Sequence, residues 1–288
     1  MQNKEIRHKE AIERNNFWAS LTPQQQLESL DNRLGKGIGA KKQRFKIQAK
    51  INNPQVEVQR KAKKDGRFII MDNSLHELGK AYKTDRLLYW INELEPDEFI
   101  VPDVWQNKAS TLVNAKHWMN NYELPKNTTK IAVVQANSYG ESIECYDILS
   151  YHLNYKKIAF SYGADWYCKE FPHPNPLVGK MMGRIMVISR MYKSKLIGNS
   201  DRVHLLGCAL PQEFSYYADF PFIESIDTSN PIIHGLEGVK YKHLGLLTKS
   251  STKIDKMNKE INTETLYNIN HNLSRFKLFV QDSNTQLY

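Results

Sequence analysis

Five polar residues of this chain each close a short apolar run. Asp72 follows Phe68-Ile-Ile-Met, Asp103 follows Phe99-Ile-Val-Pro, Gln135 follows Ile131-Ala-Val-Val, Ser161 follows Ile158-Ala-Phe, and Asp227 follows Phe222-Ile-Glu-Ser-Ile. Three carboxylates, an amide and a hydroxyl are groups suited to nucleophilic attack, proton transfer and hydrogen-bonded recognition. In a parallel βα barrel the reactive groups sit at the carboxyl ends of the strands, so a set placed in this way points to one site. Taken singly, an Asp after a strand reads equally well as the N-cap of the next helix. The set as a whole favours a site.

The elements that must position these residues follow from the pattern between them. A sixth apolar run, Val203-His-Leu-Leu-Gly, joins the five, and amphipathic stretches at 85–94, 109–122, 142–153, 177–197 and 212–218 separate the runs. Continuous apolar strands alternating with helices predict parallel βα units buried on both faces. The longer gap between Ser161 and Gly207 leaves room for an insertion around 171–176. Leu266, Ile269, Leu273 and Phe276 stand at helical spacing and predict a docking amphipathic helix over 263–280. At the front, Thr22, Pro23 and Gln26 read as an N-cap, a first-turn proline and a capping-box partner, with Leu27, Leu30 and Leu34 as the helical stripe. The glycines of 35–39 lack the ending of a phosphate loop and read as a flexible joint. The expected organisation is a helical, basic segment over 1–66, a parallel βα barrel over 67–240 and a helical extension over 241–288.

The 288 residues suffice for one large α/β domain or two ordinary ones. A formal charge of +9 favours a polyanionic partner, nucleic acid first. That charge is local: residues 33–67 hold twelve Lys and Arg against Glu57 and Asp65, which leaves the rest of the chain near neutrality. Lys41, Lys42, Arg44, Lys46, Arg60, Lys61, Lys63 and Lys64 are the candidate phosphate-binding residues; a solvated helix face is the competing reading. Three cysteines, Cys145, Cys168 and Cys208, are too few and too scattered for a disulfide framework or a tetrahedral metal site. No run approaches a membrane span, and the pattern as a whole points to a cytoplasmic chain without a membrane association. Lys180, Arg184 and Arg190 read as a solvated helix face, and His204 and Cys208 as core. Tyr162, Trp166, Tyr167 and Phe171 read as packing under a loop or as a stacking surface for bases.

In order and spacing, Met71-Asp72-Asn73-Ser74, Val133-Val134-Gln135-Ala136-Asn137, Ser161-Tyr162-Gly163, Leu205-Leu206-Gly207 and Ile226-Asp227-Thr228-Ser229-Asn230 resemble the barrel strands of tRNA-guanine transglycosylases and their DNA-modifying relatives. The resemblance spans roughly residues 66 to 236. It implies a TIM-barrel-like fold in which Asp227 is the nucleophile and Asp72 the general acid and base. It further implies a base pocket of Asp103, Gln135, Tyr162 and Gly163, with the stacking position on His76 and Leu206 facing it. His76 departs from the aromatic ring that the family places there. No cofactor is implied.

The residue types suit base exchange on chemical grounds as well. A carboxylate that attacks an anomeric carbon holds the sugar covalently and splits one displacement into two. A second carboxyl of raised pKa can protonate the departing base and deprotonate the incoming one. Asp103 and Gln135 together complement the donor and acceptor edge of guanine.

Two departures refine the expectation. The tRNA-acting enzymes carry a zinc site of three cysteines and a histidine after the barrel, whereas this chain has no cysteine after Cys208. Zinc-free members resemble phage or mobile-element enzymes that insert a 7-deazaguanine such as preQ0 into DNA, which would place this chain in a host cytoplasm. DNA is therefore expected ahead of tRNA. Six strands rather than eight are legible, so the barrel is expected to be incomplete or atypical at its front, or completed by an oligomeric contact or a partner subunit. A non-catalytic nucleic-acid-binding subunit of the same fold and a tRNA-acting enzyme are the alternative functions.

Overall fold

The computed structural model describes residues 2–51, 54–75, 79–208, 210–241, 261–281 and 286–287. The chain is α/β and divides into two compact units, one of residues 1–73, 82–99 and 123–128, the other of 74–81, 100–122 and 129–288.

The smaller unit is mostly helical, with α1 (Gln2–Ser20), α2 (Pro23–Leu34), α3 (Lys41–Ile51), α4 (Pro54–Lys64) and α5 (Thr84–Leu94). Thr22 caps α2 and Pro23 fills its first turn, as the sequence suggests. The capping box closes on Gln25, however, whose side chain accepts from the Thr22 N–H at 2.9 Å. Gln26 is one position too far round the helix and instead donates to the Trp18 carbonyl at 2.8 Å. Leu30, Leu87 and Ile91 form part of the core, whereas Leu34 at the end of the predicted stripe is exposed.

The glycine run between α2 and α3 is a built turn. Arg44 donates to the carbonyls of Gly35, Ile38 and Gly39 and to the Asp31 carboxylate, so one guanidinium closes the loop. Its hydrogen bond is the main cause that holds the Asp31 carboxyl below the usual range. Strand β1 (Ile70–Met71) pairs in parallel with β2 (Glu98–Ile100), Ile70 opposite Glu98 and Met71 opposite Phe99. The Ile69 N–H, just ahead of β1, finds the Asp97 carboxylate at 2.7 Å.

The larger unit contains strands β3 (Thr129–Val134), β4 (Lys157–Ser161), β5 (Val203–Leu206), β6 (Ile223–Ile226) and β7 (Gln286–Leu287). All are parallel and neighbours follow chain order. A doubly wound sheet reverses its strand order at a switch point, and this run of five has no reversal, which is compatible with an incomplete barrel. Ile131, Ala132, Val133 and Val134 are consecutive and all buried, as are Ile158, Ala159 and Phe160. Burial on both faces accounts for their lack of polar alternation.

Helices α6 (Lys108–Asn121), α7 (Tyr139–Asp147), α8 (Tyr167–Glu170) and α9 (Pro176–Lys193) lie between the strands. α7 runs on into a π-helical turn over Ile148–His152. The segment 211–217 forms a 3-10 helix, Pro211–Tyr217, rather than an α-helix. α8 lies just ahead of the predicted insertion at 171–176 and is held close to α9 through a glycine: a Cβ on Gly183 would stand 2.2 Å from the Tyr167 carbonyl oxygen. α10 (Asn230–Leu236) packs on the C-terminal helix α11 (Thr263–Gln281).

That last packing makes a testable demand. A Cβ on Gly235 would lie 2.6 Å from the Ile269 Cα and 2.7 Å from its nitrogen. Because these are backbone atoms, no smaller side chain at 269 can make room. Gly235→Ala should therefore destabilise the fold by about 1–3 kcal/mol in urea unfolding, and adding Ile269→Ala should not restore it.

Candidate functional site

The polar strand ends of the larger unit fall into two groups. The first is built on β3 and the segment after β2. Gln135 donates to the Asp103 carboxylate at 2.6 Å and accepts the Gln106 N–H at 2.9 Å. Asn137 donates to the Gln106 carbonyl at 2.6 Å. Asp103 and Gln135 are both buried. They come together as the sequence suggests, but the amide is engaged by protein at both ends, so it orients Asp103 and the 103–106 backbone. Trp105, between them, is 42% exposed. A Cβ on Gly163 would meet its ring at 3.7 Å.

The second group lies at the ends of β4, β5 and β6, around Arg184 of α9. The sequence placed Arg184 on a solvated face, and the structure overturns this: its side chain is wholly buried, as is that of Glu213. Arg184 donates through Nε to Glu213 at 2.6 Å, and through its terminal nitrogens to the carbonyls of Phe160, Leu206 and Gly207 at 3.1, 3.0 and 2.8 Å. Tyr217 also donates to Glu213, at 3.0 Å. Burial pushes the Glu213 carboxyl up, against the pull of the Arg184 charge. The guanidinium itself remains a cation. Its helix neighbours Lys180 and Arg190 pair with Asp165 and Glu170.

Asp227 ends β6. Its Oδ1 accepts the Gly207 N–H at 2.7 Å and lies 3.5 Å from Nε2 of His204. The side chain remains 57% exposed. Desolvation by the surrounding protein pushes its carboxyl up, but the His204 contact, the Gly207 N–H and the Arg184 charge outweigh it and hold the group below the usual carboxylate range. The sign for stability follows: the contribution is present above the unfolded value and is lost as pH falls through the native one.

His204 is buried, with Nδ1 2.8 Å from the Ser225 hydroxyl. Nε2 has no hydrogen-bond partner among the described residues. Ser, His and Asp thus lie in a row, but the wholly buried Ser225 cannot serve as a hydrolase nucleophile. Sequence reading took His204 as core, which its burial bears out, yet it missed that β5 and β6 in parallel register turn this ring toward Asp227. The offset of two between Ser225 in β6 and Asp227 just after it is the signal that could have found it.

Cys208 donates to the Thr228 hydroxyl at 3.3 Å, and burial pushes its thiol up to about 12. It is an inert thiol rather than a nucleophile. Tyr162 lies against Arg184, the guanidinium 5.6 Å from its ring centre. Trp166 and Tyr167 are buried and serve packing. Gly163 and Gly207, with φ of +97° and +63°, allow the chain to turn at the ends of β4 and β5. Leu206, half-buried, precedes the second turn.

The other sequence candidates lie in the smaller unit or outside the description. Asp72 follows β1 and is exposed. His76 lies outside the described residues, and the side chain of Lys46 is likewise not described. Of the basic candidates, Arg44 is engaged in its own loop, Arg60 pairs with Glu93, and Lys63 meets Glu95. Lys41, Lys42, Lys61 and Lys64 are exposed. Among the described residues no three metal-binding side chains are grouped, and no helix is long and apolar enough to cross a membrane.

Arg184 and Glu213 yield a double test. Arg184→Met should cost about 3–5 kcal/mol, because it strands a buried carboxylate, and Glu213→Leu in the same background should recover much of the loss. Urea unfolding of the two single variants and the double variant measures the coupling. A second test follows from Asp227: on acidification, the thermal midpoint of Asp227→Asn should fall less steeply than that of the wild type.

No known protein family and no curated protein matches this chain.

Proposed function

We propose that this chain is a transglycosylase that replaces guanine in DNA with a 7-deazaguanine base, with Asp227 as the nucleophile. The observation that carries the reading is the state of the Asp227 carboxylate: ionised, open to solvent at a strand's carboxyl end, and anchored among the described residues through one oxygen only. A nucleophile needs one fixed and one available.

In the reaction, a carboxylate oxygen of Asp227 bonds to C1′ as the bond from C1′ to N9 breaks. The electron pair leaves with guanine, which takes up a proton. The incoming base loses its proton, attacks C1′ and releases the carboxylate. Asp103, held by Gln135, is suited to the N–H edge of the base, and the exposed ring of Trp105 offers a stacking face. The proton shuttle expected at Asp72 is tested by its own variant, in which Asp72→Asn slows exchange without removing the nucleophile.

Guanine-containing DNA incubated with the protein should yield a covalent protein–DNA adduct on denaturing gels. Asp227→Asn should abolish it while DNA affinity stays within a few-fold. DNA binding without any adduct or base exchange by the wild type would favour the non-catalytic subunit.

The four exposed lysines support DNA as the polyanion. Replacing Lys41, Lys42, Lys61 and Lys64 with Ala should reduce the slope of log affinity against log salt by about 0.9 for each phosphate that is no longer neutralised. An unchanged slope would place the phosphate-binding groups on other residues.

A further inference from the structure

The geometry points to His204 as the positioning residue that selects which oxygen of Asp227 attacks: Nε2 of His204 and the Gly207 N–H together hold Oδ1, leaving Oδ2 to bond to the sugar. This inference rests on Asp227 being the nucleophile and adds to it a division of labour between the two oxygens.

Three observations support it. The His204 ring is fully buried, yet Nε2 has no hydrogen-bond partner among the described residues. A dry imidazole nitrogen without a partner is costly, so its persistence calls for a role. Second, that nitrogen faces Oδ1 of Asp227 at 3.5 Å, and Oδ1 is also the atom on which the Gly207 N–H converges at 2.7 Å. Contacts of this kind commonly tighten only when a reacting complex forms. Third, the Ser225 hydroxyl stands 2.8 Å from Nδ1 and fixes the ring plane. In the tautomer in which Ser225 donates to Nδ1, the proton resides on Nε2 and points at Oδ1.

Both displacement steps use this arrangement. When Oδ2 bonds to C1′ and the C1′–N9 pair departs with the base, Oδ1 becomes the carbonyl oxygen of a glycosyl ester. When the incoming base displaces the carboxylate, negative charge returns to Oδ1, and two donors already in place receive it without reorganisation. His204 touches neither sugar nor base and acts through Asp227.

The other charged and titratable groups around Asp227 are Arg184 of α9 and Cys208 after β5; Glu213 and Tyr162 stand beyond them against Arg184. Among the described residues, His204 is the one side chain whose nitrogen faces Oδ1.

The test compares full-length His204→Leu and His204→Gln. Leu removes the donor, while the Gln amide places an N–H close to where Nε2 stands. The titration of Asp227 is followed by carbon NMR of aspartate-labelled protein, with the signal assigned from Asp227→Asn. His204→Leu should move the midpoint upward, and His204→Gln should leave it near the wild type. This arm requires no turnover, so it reads the contact even if the protein proves to be no enzyme. In the second arm, single-turnover adduct formation with guanine-containing DNA should fall about ten- to a hundredfold in His204→Leu. Its acid limb should shift toward higher pH, and Gln should restore most of the rate. Ser225→Ala, which frees the ring without emptying the site, should give a smaller shift of the same sign. An Asp227 midpoint unmoved by Leu overturns the inference, as does a Gln variant indistinguishable from Leu. A midpoint that moves as expected, with no adduct from the wild type, retains the contact and overturns the enzyme reading instead.

Discussion

The guanidinium of Arg184 is the interaction on which the carboxyl ends of the larger unit depend. It gathers the carbonyls that end β4 and β5, and Glu213 from the 3-10 segment, around one buried cation on α9. Without it, the buried Glu213 carboxylate would lose its countercharge and each of the three carbonyls a hydrogen bond, and a buried polar group left unmatched costs about 1–3 kcal/mol. The same cation reaches Asp227 through one residue, Gly207. Arg184 holds the Gly207 carbonyl, and the Gly207 N–H binds Oδ1 of Asp227. The orientation of that glycine is therefore determined from both sides.

The opposite ends of these strands are stitched by a carboxylate. Glu224 of β6 accepts from Lys157 at the start of β4, at 2.8 Å, and from Arg202 just before β5, at 2.9 Å. One acid at one end and one base at the other thus tie neighbouring strands together, and the β5–β6 ladder shifts register between Val203 and His204. The two devices differ in dielectric setting. The Arg184 and Glu213 side chains are wholly buried, whereas Glu224 is one-third exposed and screened by water.

Much of this was legible in the sequence. All six predicted strands are present, because a strand buried on both faces leaves an unbroken apolar run. The side chains that set up the site were harder to read. Arg184 reads as solvated because it shares a helix with the charged Lys180 and Arg190, and helical spacing alone does not reveal that the Arg184 face meets the ends of β4 and β5. Gln135 was legible as a polar strand end but not as an amide committed to Asp103 and Gln106, since that partnership joins residues some thirty positions apart. Net charge misled in the same way for Arg44, counted among the basic surface residues yet engaged in closing the turn after α2. Local composition counts charges; it does not show which of them remain available.

The pairing of β6 with β7 has a kinetic meaning. Ser225 of β6 lies opposite Gln286, whereas Val203 of β5 lies opposite Ile223, only twenty positions along the chain. Loop-closure entropy makes the longer connection the slower to form and the readier to open. The strand that carries Asp227 thus has a local, early-forming neighbour on one side and a late, weakly local one on the other. Partial opening of the sheet would begin at β7 and uncover the outer edge of β6 while its bonds to β5 persist.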